Sequence, residues 1–170
     1  NDVVATAIRL AENSINSSTD RFSVIYCSSP PLVTGNAQRI EQVIINLILN
    51  ACQSLQHRGN AIEMRTFKLP QSQQICLQIT DEGCGIEERN LTRLLDPFFT
   101  TRREKGGTGL GLAISKKLTQ LMGGEIGVYS LAGEGATFWF TTNIEVIEQG
   151  EVEVENNSEI NVCILLDGNY

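Results

Sequence analysis

The chain has 170 residues, of which 41% are hydrophobic and 19% charged, and a formal net charge of −7. That length supports one domain with its own core, and the acidity argues against a nucleic-acid surface, which would carry a basic stripe. No run approaches the ~18 apolar residues of a membrane-spanning helix and the N-terminus lacks a secretion signal's basic-then-apolar order; with cysteines that read as reduced, the expected location of this domain is the cytoplasm.

Residues 2–18 place Val4, Ala7, Ile8, Ala11 and Ile15 on one face at helical spacing. Arg21 to Cys27 reads as a strand that turns at Pro30-Pro31. Asn36 is the expected N-cap of a long helix through Leu55. The apolar face of that helix is Ile40, Val43, Ile44, Leu47, Ile48, Ala51 and Leu55. Asn46, Asn50 and Gln53 follow a neighbouring stripe at the same period. Asparagine is a poor helix former, so two of them one turn apart need a reason. Either they cross-link the core through hydrogen bonds, or their carbonyl oxygens face a cleft and hold a hard cation such as Mg²⁺.

The turn His57-Arg58-Gly59-Asn60 leads into an expected hairpin, Glu63 to Leu69 and Gln74 to Thr80, with Ile75, Leu77 and Ile79 on one face. The second strand runs into Asp81-Glu-Gly83-Cys-Gly85-Ile86. This is either an ordinary Asp-Gly turn or an acceptor site in which Asp81 takes a hydrogen bond from an exocyclic amine such as adenine's. Glu87 to Leu95 reads as a short helical piece ended by Pro97. Phe98-Phe99 then either anchors the following loop or latches it over a ligand. Thr100, Thr101, Arg102, Arg103 and Lys105 add donors and positive charge against the acidic average, as a solvated run or as an anion site.

Gly107, Gly109 and Gly111 alternate just before an apolar helical pattern that stops at Gly123-Gly124. Such a loop lets a ligand approach the backbone, and the helix start offers N–H groups suited to a polyphosphate. It is not a P-loop, because Lys105 precedes the glycines, and not a Rossmann fingerprint, because the spacing is Gly-x-Gly-x-Gly. Two strands follow, Glu125 to Leu131 and Ala136 to Ile147, around the turn Ala132-Gly133-Glu134-Gly135. From Glu148 to Ile160 there are five glutamates and no basic residue, which suggests a solvated linker over 148–161. Residues 162–170 read as the start of a further domain. The five cysteines (Cys27, Cys52, Cys76, Cys84, Cys163) form no Cys-x-x-Cys pair and read as small buried hydrophobes under reducing conditions. The first residue is Asn1 rather than methionine, so we expect a piece of a longer protein.

Five stretches, in order, carry a resemblance. Asn46-Leu-x-x-Asn50-Ala51 looks like an asparagine box, Asp81-x-Gly83-x-Gly85 like a first glycine box, and Asp96-Pro-Phe-Phe-Thr-Thr101 like a phenylalanine box. Gly107-Thr-Gly-Leu-Gly-Leu112 looks like a second glycine box, and Gly133-x-Gly135-x-Thr137 like a closing glycine-threonine element. Residues 1–147 thereby resemble the catalytic ATP-binding domain of bacterial sensor histidine kinases, within the gyrase/heat-shock chaperone/histidine kinase/MutL superfamily. The resemblance implies an α/β two-layer sandwich, the Bergerat ATP-binding fold, with about three helices on a mixed, roughly five-stranded sheet.

It also implies roles. Asp81 would receive the adenine amino group with Thr137 supporting it directly or through water, Gly83 and Gly85 would give the base room, and Ile86 is a further nucleotide-binding position. Asn50, with Asn46, would hold Mg²⁺ on the phosphates. Phe99, Thr100 and Thr101, with Gly107, Thr108, Gly109, Leu110, Gly111 and Leu112, would form the lid and phosphate cradle, and Lys105 or Arg102 would neutralise γ-phosphate charge. In hydrolysing relatives the residue one turn before the magnesium asparagine is a glutamate; Asn46 cannot serve as that base, which favours a kinase. The implied cofactors are ATP and Mg²⁺. The implied partners are an upstream histidine-bearing dimerisation domain, in a homodimeric parent protein that is itself membrane-anchored or free, and the receiver domain of a response regulator. A catalytically silent nucleotide-binding module and an ATP-hydrolysing member of the superfamily are the alternatives. Two positions depart from the pattern: Gln53 replaces a common basic residue and Ser54 a common aromatic. The sole histidine, His57, lacks the acidic neighbour and long hairpin of a phosphorylation site.

Overall fold

The computed structural model describes residues 2–27, 36–70, 72–101 and 107–143. Its elements are α1 (Asp2–Ser18), β1 (Arg21–Ile25), α2 (Ala37–Ser54), β2 (Ala61–Lys68), β3 (Gln74–Asp81), α3 (Glu88–Leu91), α4 (Gly111–Leu121), β4 (Ile126–Ser130) and β5 (Ala136–Asn143). The strands form one five-stranded sheet in the order β1-β2-β3-β5-β4. β1 runs parallel to β2, with α2 as the crossover, and the other pairs are antiparallel. The expected sandwich of three principal helices on a mixed sheet is what forms, with α3 as one extra turn.

Asn36 caps α2 as expected, its side chain accepting from the Arg39 N–H at 3.1 Å. The apolar stripe of α2, from Ile40 to Ala51, is buried, and α1 adds Val4, Ala7, Ala11 and Ile15. On the sheet, period-two alternation turns Ile62 and Met64, Leu77 and Ile79, and Phe138 and Phe140 into that same core. Each fully buried side chain of this kind contributes about 1.5–3 kcal/mol. The intervening residues, among them Gln78, Thr80, Thr137 and Trp139, share the opposite face, where Tyr129 stacks on Trp139 with centroids 6.3 Å apart.

β3 continues one residue further than the hairpin pattern suggested. Asp81 still pairs with Ile62 on one side and Ala136 on the other, because two neighbouring strands hold its backbone. Its alternation therefore follows Ile79 and sends the carboxylate to the helix side. Residues 144–170 lie outside the described residues, and with them the end expected for the last strand, the acidic linker and the start of a further domain.

The cysteines correct one expectation. Cys52 and Cys76 are buried, but Cys84 is exposed, since it sits in a loop rather than on a core-facing position. Burial raises the Cys76 thiol from 9.0 to about 11. An acid whose pKa is raised by folding supports the fold below its unfolded value and ceases to do so as pH climbs through the folded one. The melting temperature is thus expected to fall between pH 9.0 and about 11. Thermal scans should show that loss reduced in Cys76→Ala.

Candidate functional site

A cavity of about 590 Å³ opens between α2, α4, the end of β3 and the loops before and after α3, a size that suits a small-molecule ligand. Asn46 and Asn50 reach it from α2, one turn apart, and Asp81 from β3. Gly85 and Ile86 line it beside Asp81. Phe99, Thr100 and Thr101 close one wall, and Gly107, Thr108, Gly109, Gly111 and Leu112 another. Residues far apart in sequence thus converge on one space.

Asp81 is 2% exposed. Its Oδ1 accepts from the Gly83 N–H at 2.9 Å and from the Ser54 hydroxyl at 2.6 Å. Asn50 also lines the cavity, and its Nδ2 is buried with no hydrogen-bond partner among the described residues, an arrangement that costs stability. Asn46 is differently placed. Its Nδ2 donates to the Gly111 carbonyl and the Ser115 hydroxyl, both at 3.1 Å, and its Oδ1 accepts from Gln42 at 3.1 Å. It fastens the start of α4 to α2, as the cross-linking alternative for this asparagine required.

The lid loop and the glycine ribbon are also joined. The Phe98 N–H donates to the Gly109 carbonyl at 3.0 Å. Both residues have φ of +65°, which Gly109 adopts without cost and Phe98 only under constraint. Among the described residues no N-cap side chain bonds the first turn of α4, although the Leu110 N–H donates to the Thr108 hydroxyl at 3.4 Å, so the N–H groups that follow it are open to a ligand or to water. Arg93 lies over the ring of Phe99 at 4.8 Å, a cation–π contact that backs the cavity wall.

Three residues expected in the site do not line it. Thr137 lies on the far side of the sheet, where its hydroxyl is 3.0 Å from that of Thr80. The neighbour one position earlier, Ala136, pairs with Asp81 and lines the cavity instead. The expectation of support from Thr137 is therefore corrected, and the cause is strand alternation. Thr137→Val should leave nucleotide affinity within about twofold of wild type by calorimetry, because the group it alters is screened by the sheet. Gly83 serves the site from behind: a Cβ there would come within 2.2 Å of Ser54 Oγ, so the space it saves is for Ser54 rather than for a base. Leu110 supplies the backbone that precedes α4. Arg102 and Lys105 fall outside the described residues.

Sequence reasoning missed Cys84, Glu87, Asn90 and Ala136 as lining residues. Ala136 was recoverable from counting alternation back from Phe138; the other three sit in loops or a single helical turn with no period to read.

The match to a known family covers residues 35–146, and the family is described as histidine kinase-, DNA gyrase B- and HSP90-like ATPases. The chain belongs to this family. As a histidine kinase-, gyrase B- and HSP90-like ATPase domain, it is similar to a putative sensor protein of Shewanella frigidimarina (strain NCIMB 400), 40% identical over 79% of this chain and 20% of that protein. It is also similar to the signal transduction histidine-protein kinase AtoS of Escherichia coli (strain K12), 41% identical over 62% of this chain and 17% of AtoS. The chain therefore spans a fifth or less of these relatives. Among solved structures, the nucleotide-free catalytic domain of histidine kinase ThkA matches with a TM-score of 0.71 at 27% identity, covering 85% of this chain and 91% of that one. The mycobacterial sensor histidine kinase MprB shares the fold, with a TM-score of 0.72 at 22% identity over 86% and 95% of the two chains. The family is one of ATP-binding domains, and no helix among the described residues is long and apolar enough to cross a membrane.

Proposed function

We propose that this chain is the ATP-binding phosphotransfer domain of a sensor histidine kinase. It would pass the γ-phosphate to a histidine on a separate, upstream dimerisation domain, for relay to a response regulator. The observation that carries this reading is the convergence of Asn50, Asp81 and the glycine ribbon on one cavity. Asp81 accepts the adenine amino group, with Gly85 and Ile86 against the base. The N–H groups of Gly109 and Gly111 and the start of α4 receive the phosphates, where the helix dipole favours negative charge.

The residues fit Mg²⁺. Among the described residues no group of three or more His, Cys, Asp or Glu forms a metal cage, so any ion there depends on neutral amide oxygens and on the nucleotide's own phosphates, which is how Mg²⁺ is commonly held. Asn50 is the better ligand, because the amide of Asn46 already bonds within the protein. When bound, Mg²⁺ supplies neutralisation of phosphate charge. Asn50 orients the phosphates, Phe99, Thr100 and Thr101 exclude water, and Arg102 or Lys105 adds positive charge. Asn46 is an amide where the hydrolysing relatives carry a glutamate and cannot itself serve as the base, which favours a domain that holds ATP until a histidine acceptor arrives.

The test pairs calorimetry with transfer. Mg²⁺-dependent ATP binding should be measurable. Labelled ATP should phosphorylate, in trans, a histidine-bearing helical hairpin taken from the same protein while this chain stays unlabelled. Rapid release of phosphate without an acceptor would instead favour an ATPase, and binding without transfer a silent module. We further propose the division expected from the sequence: a catalytic domain over 1–147, a linker over 148–161 and the start of another domain over 162–170.

A further inference from the structure

Ser54 is the last residue of α2, and its hydroxyl meets two acceptors: the Ala51 carbonyl at 2.7 Å and Asp81 Oδ1 at 2.6 Å. It has one proton to give. An ionised carboxylate is the stronger acceptor, so the proton goes to Asp81. The carbonyls of the last turn of a helix carry partial negative charge, and a buried carboxylate facing that end needs a donor in between. Ser54 supplies it.

The fit around this contact is close. A Cβ at Gly83 would come within 2.2 Å of Ser54 Oγ and 2.6 Å of Asp81 Oδ1. The Cys84 N–H donates to the Ser54 carbonyl at 3.1 Å, which ties the helix end to the loop beyond Asp81. With the Gly83 N–H and the Ser54 hydroxyl both on Oδ1, the plane of the carboxylate is fixed from two directions, and so is the edge it presents to the cavity.

We propose that Ser54 is a positioning residue for base selection, holding the Asp81 carboxylate in the orientation that accepts a 6-amino purine and disfavours a 6-oxo one. This inference rests on the reading of Asp81 as the adenine acceptor. A hydroxyl that only stabilised the end of α2 would change affinity for every nucleotide alike. One that positions Asp81 changes the ratio between ATP and ITP, which differ at the 6-position of the purine.

The experiment measures Mg²⁺–ATP and Mg²⁺–ITP dissociation constants by calorimetry for wild type, Ser54→Ala, Ser54→Cys and Asp81→Asn, with melting temperatures alongside. Wild type is expected to prefer ATP by about tenfold or more, the discrimination typical of a buried polar contact. Ser54→Ala should shrink that preference by about fivefold, mainly through weaker ATP binding. Ser54→Cys, which keeps the shape with a poorer donor, should fall between; if Ser54→Ala does not fold, the Cys variant alone decides. An ATP-to-ITP ratio unchanged in the Ser54 variants, with that of Asp81→Asn collapsed, overturns the role of Ser54 and leaves the adenine reading standing. No preference in wild type, or none lost in Asp81→Asn, overturns both.

Discussion

Asp81→Asn is expected to weaken ATP and ADP binding by about 10- to 140-fold while the domain remains folded. A hydrogen bond to a charged group contributes roughly 1.5–3 kcal/mol, and each 1.4 kcal/mol is about tenfold in affinity. The direction follows from the two donors already on Oδ1, the Gly83 N–H and the Ser54 hydroxyl. An asparagine would keep its one oxygen toward those donors and turn its NH₂ toward the cavity, where a donor meets the adenine amine. Calorimetry on the purified variant, with a thermal scan showing a retained cooperative transition, checks this. Wild-type affinity in a folded Asp81→Asn protein would show that the base binds elsewhere.

Gly109→Ala is expected to cost about 2–3 kcal/mol of stability and to lower nucleotide affinity at least tenfold, whereas Gly111→Ala should be as stable as wild type or slightly more so. The two glycines look alike in the sequence, two residues apart. Gly109 has φ of +65°, and a Cβ on it would lie 2.6 Å from both the Phe98 carbonyl carbon and the Phe99 carbonyl oxygen. An L-residue pays about 1–2 kcal/mol for that backbone conformation alone. The overlap is with backbone, so relief requires breaking the bond between the Phe98 N–H and the Gly109 carbonyl. At Gly111 the nearest atom to an added Cβ is Asn46 Cγ at 3.8 Å, an ordinary contact, and at this first position of α4 alanine gains only part of the ~1 kcal/mol it has over glycine in a helix interior. Melting curves and ATP titrations of the two variants make the comparison; equal losses in both would mean that the φ of Gly109 is not what matters.

Much of this fold was legible because period dominates it. The apolar stripe of α2 and the alternation of Ile75, Leu77 and Ile79 marked both layers, and Asn36 marked where α2 begins. The lining of the candidate cavity was legible where a residue type is out of place for its element: two asparagines in a helix, a carboxylate at the end of an apolar strand, three alternating glycines. Thr137 was misplaced because a motif was followed where alternation should have been. Ala136 and Thr137 are adjacent, and one step along a strand changes the side of the sheet. The contacts of Ser54 and the different hydrogen bonding of Asn46 and Asn50 were out of reach, since both depend on which residue of a distant element arrives within hydrogen-bonding distance. Cys84, Glu87 and Asn90 come from segments too short for any period.

The bonds of Asn46 have a consequence for how variants of the asparagine pair report on chemistry. A single amide joins Gln42, one turn earlier on α2, to the first residue of α4, so whatever displaces the glycine ribbon pulls on the middle of α2 as well. Removing that amide would release the ribbon's anchor together with any contact it makes to a ligand in the cavity. Lost turnover in an Asn46 variant is therefore ambiguous between mechanics and chemistry, and Asn50 is the cleaner position from which to silence the domain.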